Sequence, residues 1–114
     1  MLLFQPEHIE KNINGEKTES RRLWEKQRVK EGSLQQQKKK IFTKEHFGYL
    51  RIEKVHQELL LDITEEGAKR EGGYTIEEYL KLWFEITPDS PPNPLVFVLR
   101  YHYHGVVKDR EAIE

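Results

Sequence analysis

Gly15-Glu16-Lys17-Thr18-Glu19-Ser20-Arg21-Arg22 is the stretch on which the reading of this chain turns. Its glycine frees the backbone, and behind it cations and hydroxyls are packed closely. Arg forks onto phosphate or a base edge, Lys acts as a point charge, and hydroxyls bond locally. The segment is a candidate grip for an anion or a nucleotide. It matches neither a Walker loop nor a dinucleotide fingerprint.

Upstream, Leu2 to Gln5 is a short apolar run suited to a buried strand. Pro6 fits the first position of a helix, where a missing N–H costs nothing. Ile9 and Ile13 stand four apart on one face, and Gly15 supplies the stop. The spacing therefore predicts a helix over Pro6 to Asn14, followed by an extended segment over Lys17 to Leu23. On a strictly extended strand Lys17 and Ser20 point to opposite faces, because their separation is odd. Lys17 must then act from the helix-to-strand turn, or a bulge must intervene. Arg21 and Arg22 likewise point apart, so at most one is expected to face a cleft.

Downstream, Gly32 marks a turn, and Gln35 to Phe42 and Phe47 to His56 read as strands. Thr64 caps a short helix that stops at Gly72-Gly73. Thr75 and Glu78 match a capping box. Behind it Ile76, Tyr79, Leu80 and Trp83 form an amphipathic stripe, read as core. Pro88, Pro91, Pro92 and Pro94 end that helix. In Leu95 to Tyr103 the residues Leu95, Phe97, Leu99, Tyr101 and Tyr103 share one face, and Val96 and Val98 open the other. This last strand is expected to be buried on both sides at its start. Helices inserted into a mainly antiparallel sheet that curls to remove its edges make an α+β fold.

The composition sets bounds. The 114 residues suffice for one domain over residues 1–104, with 105–114 as a charged tail. With no cysteine, disulfides, thiolate metal sites and a cysteine nucleophile are excluded. His102 and His104 lie two apart on one strand face, a spacing open to a metal. No acidic residue stands near them in sequence, so no metal or other cofactor is expected. No run reaches the roughly 18 apolar residues of a membrane span, and a cytoplasmic protein, monomeric by default, is expected. The net charge of −1 conceals a division: Lys11 to Lys54 sums to +7 and Val55 to Glu114 to −6. Such asymmetry suggests a basic face for phosphates.

The pattern Gly-x-Lys-Thr-x-Ser-x-Arg after a short helix, carried by Gly15, Lys17, Thr18, Ser20 and Arg22, resembles the signature of ASCH domains in the PUA-like superfamily. Gly32 sits where that family places a glycine before a strand. Thr64 to Glu71 is similar to its T-E-x-x-A-x-x-E helix, and the resemblance spans about residues 2 to 103. It implies a small mixed β-barrel of about five to six strands with two to three flanking helices. It also implies RNA or a modified nucleoside as partner, bound by Gly15, Lys17, Thr18, Ser20, Arg21 and Arg22. Of the two arginines it favours Arg22 for the cleft. Trp24, just after the basic segment, is added on position as a stacking candidate. One branch of the family hydrolyses the acetyl amide of N-acetylcytidine, which makes Lys17, Ser20 and Glu71 candidate catalytic residues. Ser20 falls where that branch has threonine. Three readings follow: an RNA- or nucleoside-binding module, a hydrolase acting on acylated nucleosides or RNA, and a protein-interaction module in transcription or translation.

Overall fold

Local signals place the helices where the sequence puts them. The computed structural model describes residues 1–107. Helix α1 (Pro6–Asn14) begins on its proline and ends at Gly15, whose φ of +83° is the left-handed turn that glycine adopts freely. Thr64 caps α2 (Glu65–Arg70) by accepting from the Gly67 N–H. Thr75 and Glu78 close a reciprocal capping box on α3 (Ile76–Ile86). Among the described residues, no helix is long and apolar enough to cross a membrane.

Five strands form one mixed sheet: β1 (Leu2–Leu3), β2 (Glu19–Arg22), β3 (Leu34–Lys38), β4 (Tyr49–Leu59) and β5 (Leu95–Gly105). Their order is β1-β3-β4-β5-β2, with only the β1–β3 pair parallel. The long β4–β5 ladder runs from Tyr49 opposite Gly105 to Leu59 opposite Leu95 and shifts register near Tyr49–Leu50 and Ile52–Lys54. Such irregularities bend a strand and sharpen its twist. The α+β class stands, but the sheet is not closed into a barrel: β1 and β2 are its two free edges.

Strand β5 divides the core. Leu99 and Tyr101 join Leu2, Phe4, Ile9, Leu50 and Ile52 beside α1. Val96 and Val98 turn the other way, onto Leu60, Ala68, Tyr79 and Trp83 beneath α2 and α3. The alternation is the two-residue period of a strand buried on both faces. A polar pin crosses the first cluster. Tyr101 Oη donates to Asn12 Oδ1 at 2.6 Å, Asn12 Nδ2 donates to Gln37 Oε1 at 2.9 Å, and Gln37 donates on to the Phe47 carbonyl. It ties α1 to β5 and β3.

Some expectations shift. Ile13 and Leu95 are exposed, at 44% and 51%. Ile13 lies at the end of α1, past the core face that Ile9 reaches, and Leu95 opens β5 opposite the exposed Leu59. The expected Gln35–Phe42 strand stops at Lys38: its ladder to β4 ends at Gln36, and Gln37 and Lys38 pair with β1, which ends at Leu3. β5 continues through Gly105, one residue past the expected domain edge. Residues 108–114 of the expected tail lie outside the described residues.

Candidate active site

Lys17 sits between α1 and β2, in the link that Gly15 turns. It therefore escapes the strand alternation that would have set it opposite Ser20. The link is fastened by backbone bonds from Lys17 N–H to the Lys11 carbonyl (3.0 Å) and from Thr18 N–H to the Arg70 carbonyl (2.7 Å). The second bond brings the end of α2, and with it Glu71, against the start of β2.

The Lys17 ammonium is buried, and all three of its protons are engaged. It donates to Glu71 Oε1 at 2.6 Å, to the Glu71 carbonyl at 2.9 Å and to the Glu19 carbonyl at 2.8 Å. The other Glu71 oxygen accepts from Arg21 at 3.0 Å. Arg21 also meets Glu19 at 2.8 Å and Glu58 at 3.3 Å, and Glu19 accepts in turn from Arg70 and Arg100. Arg21 Nε is buried and without a protein partner.

Burial pushes the Lys17 ammonium below its usual pKa, against the pull of Glu71, with Arg22 and Arg21 adding to the fall. Burial alone would raise the Glu19 carboxyl, but Arg21 and Arg70 outweigh it and hold it low. Burial also raises the phenols of Tyr79 and Tyr101 well above their usual value, with Glu71 adding to both.

A cavity of about 210 Å³ opens in the seam between the two sheet edges. Leu3 and Phe4 border it from the β1 side, Ser20, Arg21 and Arg22 from β2, and Tyr79, Trp83 and Ile86 of α3 lie along it. Lys17, Glu71 and His8 complete the lining. The structure thus brings Lys17, Ser20, Arg21, Arg22 and Glu71 together around one hollow. Both arginines border it, where the alternation allowed one. The cavity follows a free strand edge, and an edge is reached from either face of the sheet.

The two arginines have different company. Arg21 faces three carboxylates, whereas half-buried Arg22 has no carboxylate partner among the described residues. Arg22 Nε donates to Ser20 Oγ at 2.9 Å, and its guanidinium lies over the Phe4 ring, 4.6 Å from the centroid. Burial lowers its pKa.

Three predicted contact residues stand elsewhere. Gly15 is the exposed cap of α1. Thr18 serves as a backbone joint, its carbonyl accepting from Tyr101 N–H and its N–H donating to Arg70. Trp24 packs on Phe97 with centroids 6.0 Å apart and carries Arg28 over its ring. None of the three lines the cavity.

Residues that sequence reading passed over line it instead. Phe4 belongs to a run read as strand, and Tyr79 and Trp83 to a stripe read as core in preference to base-stacking platforms. His8 donates to or accepts from Tyr74 Oη at 2.9 Å, and burial, then Lys17, lowers its pKa to about 4. Its signal was the spacing of four from Asn12, which places two polar residues on the buried face of α1. His102, whose spacing from His104 was read as leaving no metal expected, pairs with Glu53 of β4.

No family model matches this chain, and no curated protein matches it. Among solved structures it is similar to protein EF3133 from Enterococcus faecalis V583, described by the family model DUF984. The likeness has a TM-score of 0.64 at 17% identity and covers 91% of this chain and 74% of that one. At that identity the likeness is one of fold.

Proposed function

We propose that this chain is a nucleoside- or RNA-binding domain of the ASCH kind, its curled open sheet a variant of the PUA-like barrel and its ligand seated at Arg22. The observation that carries the reading is the state of that guanidinium. A partly desolvated cation without an acid beside it calls for acceptors from outside the chain. A carbonyl or ring nitrogen on the edge of a base provides them in the plane of the fork. At about 210 Å³ the hollow is smaller than the roughly 300–1,000 Å³ of drug-sized ligand sites. That size suits one planar ring rather than a length of strand. Phe4 and Trp83 supply aromatic walls for such a ring.

Calorimetric titration with the common ribonucleosides, N-acetylcytidine and a short single-stranded RNA at low salt tests the reading. Arg22→Met is expected to weaken binding about tenfold or more, the loss of one good charge-assisted contact, while thermal unfolding stays close to wild type. Failure of every one of these ligands to bind at low salt would remove it.

A second reading has an observation of its own: the Lys17–Glu71 pair and the Ser20 hydroxyl border the same cavity. In a hydrolase of acylated cytidine, Ser20 Oγ adds to the acyl carbonyl and its proton passes to a neutral Lys17. Lys17 hands that proton through Glu71 to the departing amine, and water then cleaves the acyl-serine ester, releasing the acid and restoring the Ser20 hydroxyl. The lowered pKa of Lys17 favours this, and Arg22 on Ser20 Oγ would steady negative charge there. The ion pair opposes it, since a Lys17 that donates to Glu71 is not free to accept. Acetate release from N-acetylcytidine decides. Ser20→Ala is expected to abolish turnover while leaving binding intact, and a wild-type protein that binds without turnover is a binding module alone.

A further inference from the structure

The cavity does not end at Phe4. A more open groove of about 420 Å³ continues from it, sharing Leu3, Phe4, Gln5 and Ile86 and adding Pro6 and Lys39. Lys39 stands at this rim because the Phe4 N–H donates to the Lys38 carbonyl at 3.0 Å, which fixes the exit of β3 beside Phe4. From there the loop to β4 carries Lys39, Lys40 and Lys44, with no acid between Lys38 and Lys44. Lys38 Nζ donates to the Thr43 carbonyl at 2.7 Å and folds the loop back on β3. Lys40 and Lys44 are exposed and have no acidic partner among the described residues, and the Lys39 ammonium rests over the Phe47 ring at 4.7 Å. Glu7, next to Pro6, and Glu45, next to Lys44, are the nearby acids in sequence. Phe42 in the same loop is 97% exposed.

We infer that this groove is a phosphate subsite, holding the phosphate of a nucleotide whose base occupies the cavity at Arg22. The inference rests on the nucleoside reading above and deepens it: the ligand is phosphorylated, and Lys39 meets the phosphate with Lys40 and Lys44 adding field. Cation at the rim, apolar floor at Phe4 and a second cation in the hollow match the alternation of anion and ring in a nucleotide. The phosphate belongs either to a free mononucleotide or to an RNA strand.

The test compares the four common ribonucleosides, their 5′- and 3′-monophosphates and a short single-stranded RNA, on wild type, Lys39→Ala, Lys40→Ala/Lys44→Ala and Phe42→Ala. One monophosphate series is expected to bind about tenfold tighter than the nucleosides, an advantage that shrinks with salt and disappears in Lys39→Ala while nucleoside affinity holds. An RNA that binds tighter still, and loses that gain in Phe42→Ala, assigns the phosphate to a strand; an RNA no tighter than the monophosphate assigns it to a free nucleotide. Nucleosides binding as tightly as both monophosphate series would overturn the phosphate subsite and spare the nucleoside site. Equal weakening of nucleoside and nucleotide by Lys39→Ala would overturn it as well. Absence of binding by nucleosides, nucleotides and RNA alike, with N-acetylcytidine silent as well, overturns both proposals.

Discussion

Lys17 Nζ donates to Glu71 Oε1 at 2.6 Å across 54 positions of sequence, and each side chain is 2% exposed. The remaining oxygen of the carboxylate belongs to Arg21, so Glu71 is shared between two buried cations: it is the carboxylate that Lys17 meets, whereas Arg21 also meets Glu19 and Glu58. Breaking a buried pair costs more than the pair was worth, because one charge is left behind.

That asymmetry orders the two halves of the pair. Glu71→Gln strips a carboxylate from both Lys17 and Arg21, and a loss of about 3 kcal/mol or more is expected. Lys17→Met leaves Glu71 still held by Arg21, and a smaller loss of about 2 kcal/mol is expected. The double variant is expected to lose less than the sum. Urea denaturation of the three variants measures the order, and Lys17→Met costing more than Glu71→Gln would contradict it.

Gly67 is held small by the same network. A Cβ there would lie 3.1 Å from Arg21 Nη2, 3.3 Å from Ile63 Cγ1 and 3.4 Å from Glu19 Oε2. Alanine brings a helix-propensity gain of about 1 kcal/mol, whereas crowding a packed site typically costs about 1–3 kcal/mol. Arg21 is fixed by Glu19, Glu58 and Glu71 and has little room to retreat. Gly67→Ala is expected to lower stability by about 1 kcal/mol net, read from the same denaturation curves.

His8 predicts an acid limb. Its imidazole titrates near 6.5 in an unfolded chain and about 4 in the fold. Above 6.5 both states are neutral and the group contributes no slope. As pH falls from 6.5 to 4 the unfolded chain binds a proton that the folded chain refuses, so stability drops by up to about 1.4 kcal/mol per unit, roughly 3 kcal/mol in all. Below 4 the loss is complete. Glu19, also held low, loses its contribution at more acid pH, starting below 4.5. Denaturation midpoints between pH 7 and 4.5 isolate His8, and His8→Gln is expected to flatten that limb.

Tyr101→Phe takes the one hydroxyl that reaches Asn12 Oδ1 and leaves that buried acceptor without its donor. A loss of about 1–3 kcal/mol is expected. Because the pin orients α1, and α1 leads into Lys17, nucleoside affinity is expected to fall with it. Calorimetric titration beside thermal unfolding reads both effects.

What the sequence reveals is what short-range chemistry decides. Pro6, Gly15, Thr64 and the Thr75–Glu78 box act within a turn of their own positions, and the helices they bound lie where they indicate. The β3 boundary depends on where β1 stops offering a partner, at Leu3 opposite Lys38, which no local pattern records. The site divides in the same way. Lys17, Ser20, Arg21 and Arg22 stand out by their own clustered cations and hydroxyl and Glu71 through resemblance, while Phe4, His8 and Tyr79 enter through contacts made only when the sheet edges draw near. The summed charge misleads for a related reason. Lys17 and Arg21 spend their cations on buried carboxylates, so the basic half of the chain is not one basic face.

The two sheet edges share no ladder, and across that gap Arg22 rests on Phe4. The side chain that would greet a ligand is therefore also a clasp between the first strand and the second. A guest that holds the guanidinium would tighten the clasp, and its arrival would be legible far from the base itself, as slowed amide exchange along Leu2 to Phe4. Recognition and rigidity in this small fold are then two readings of a single bond.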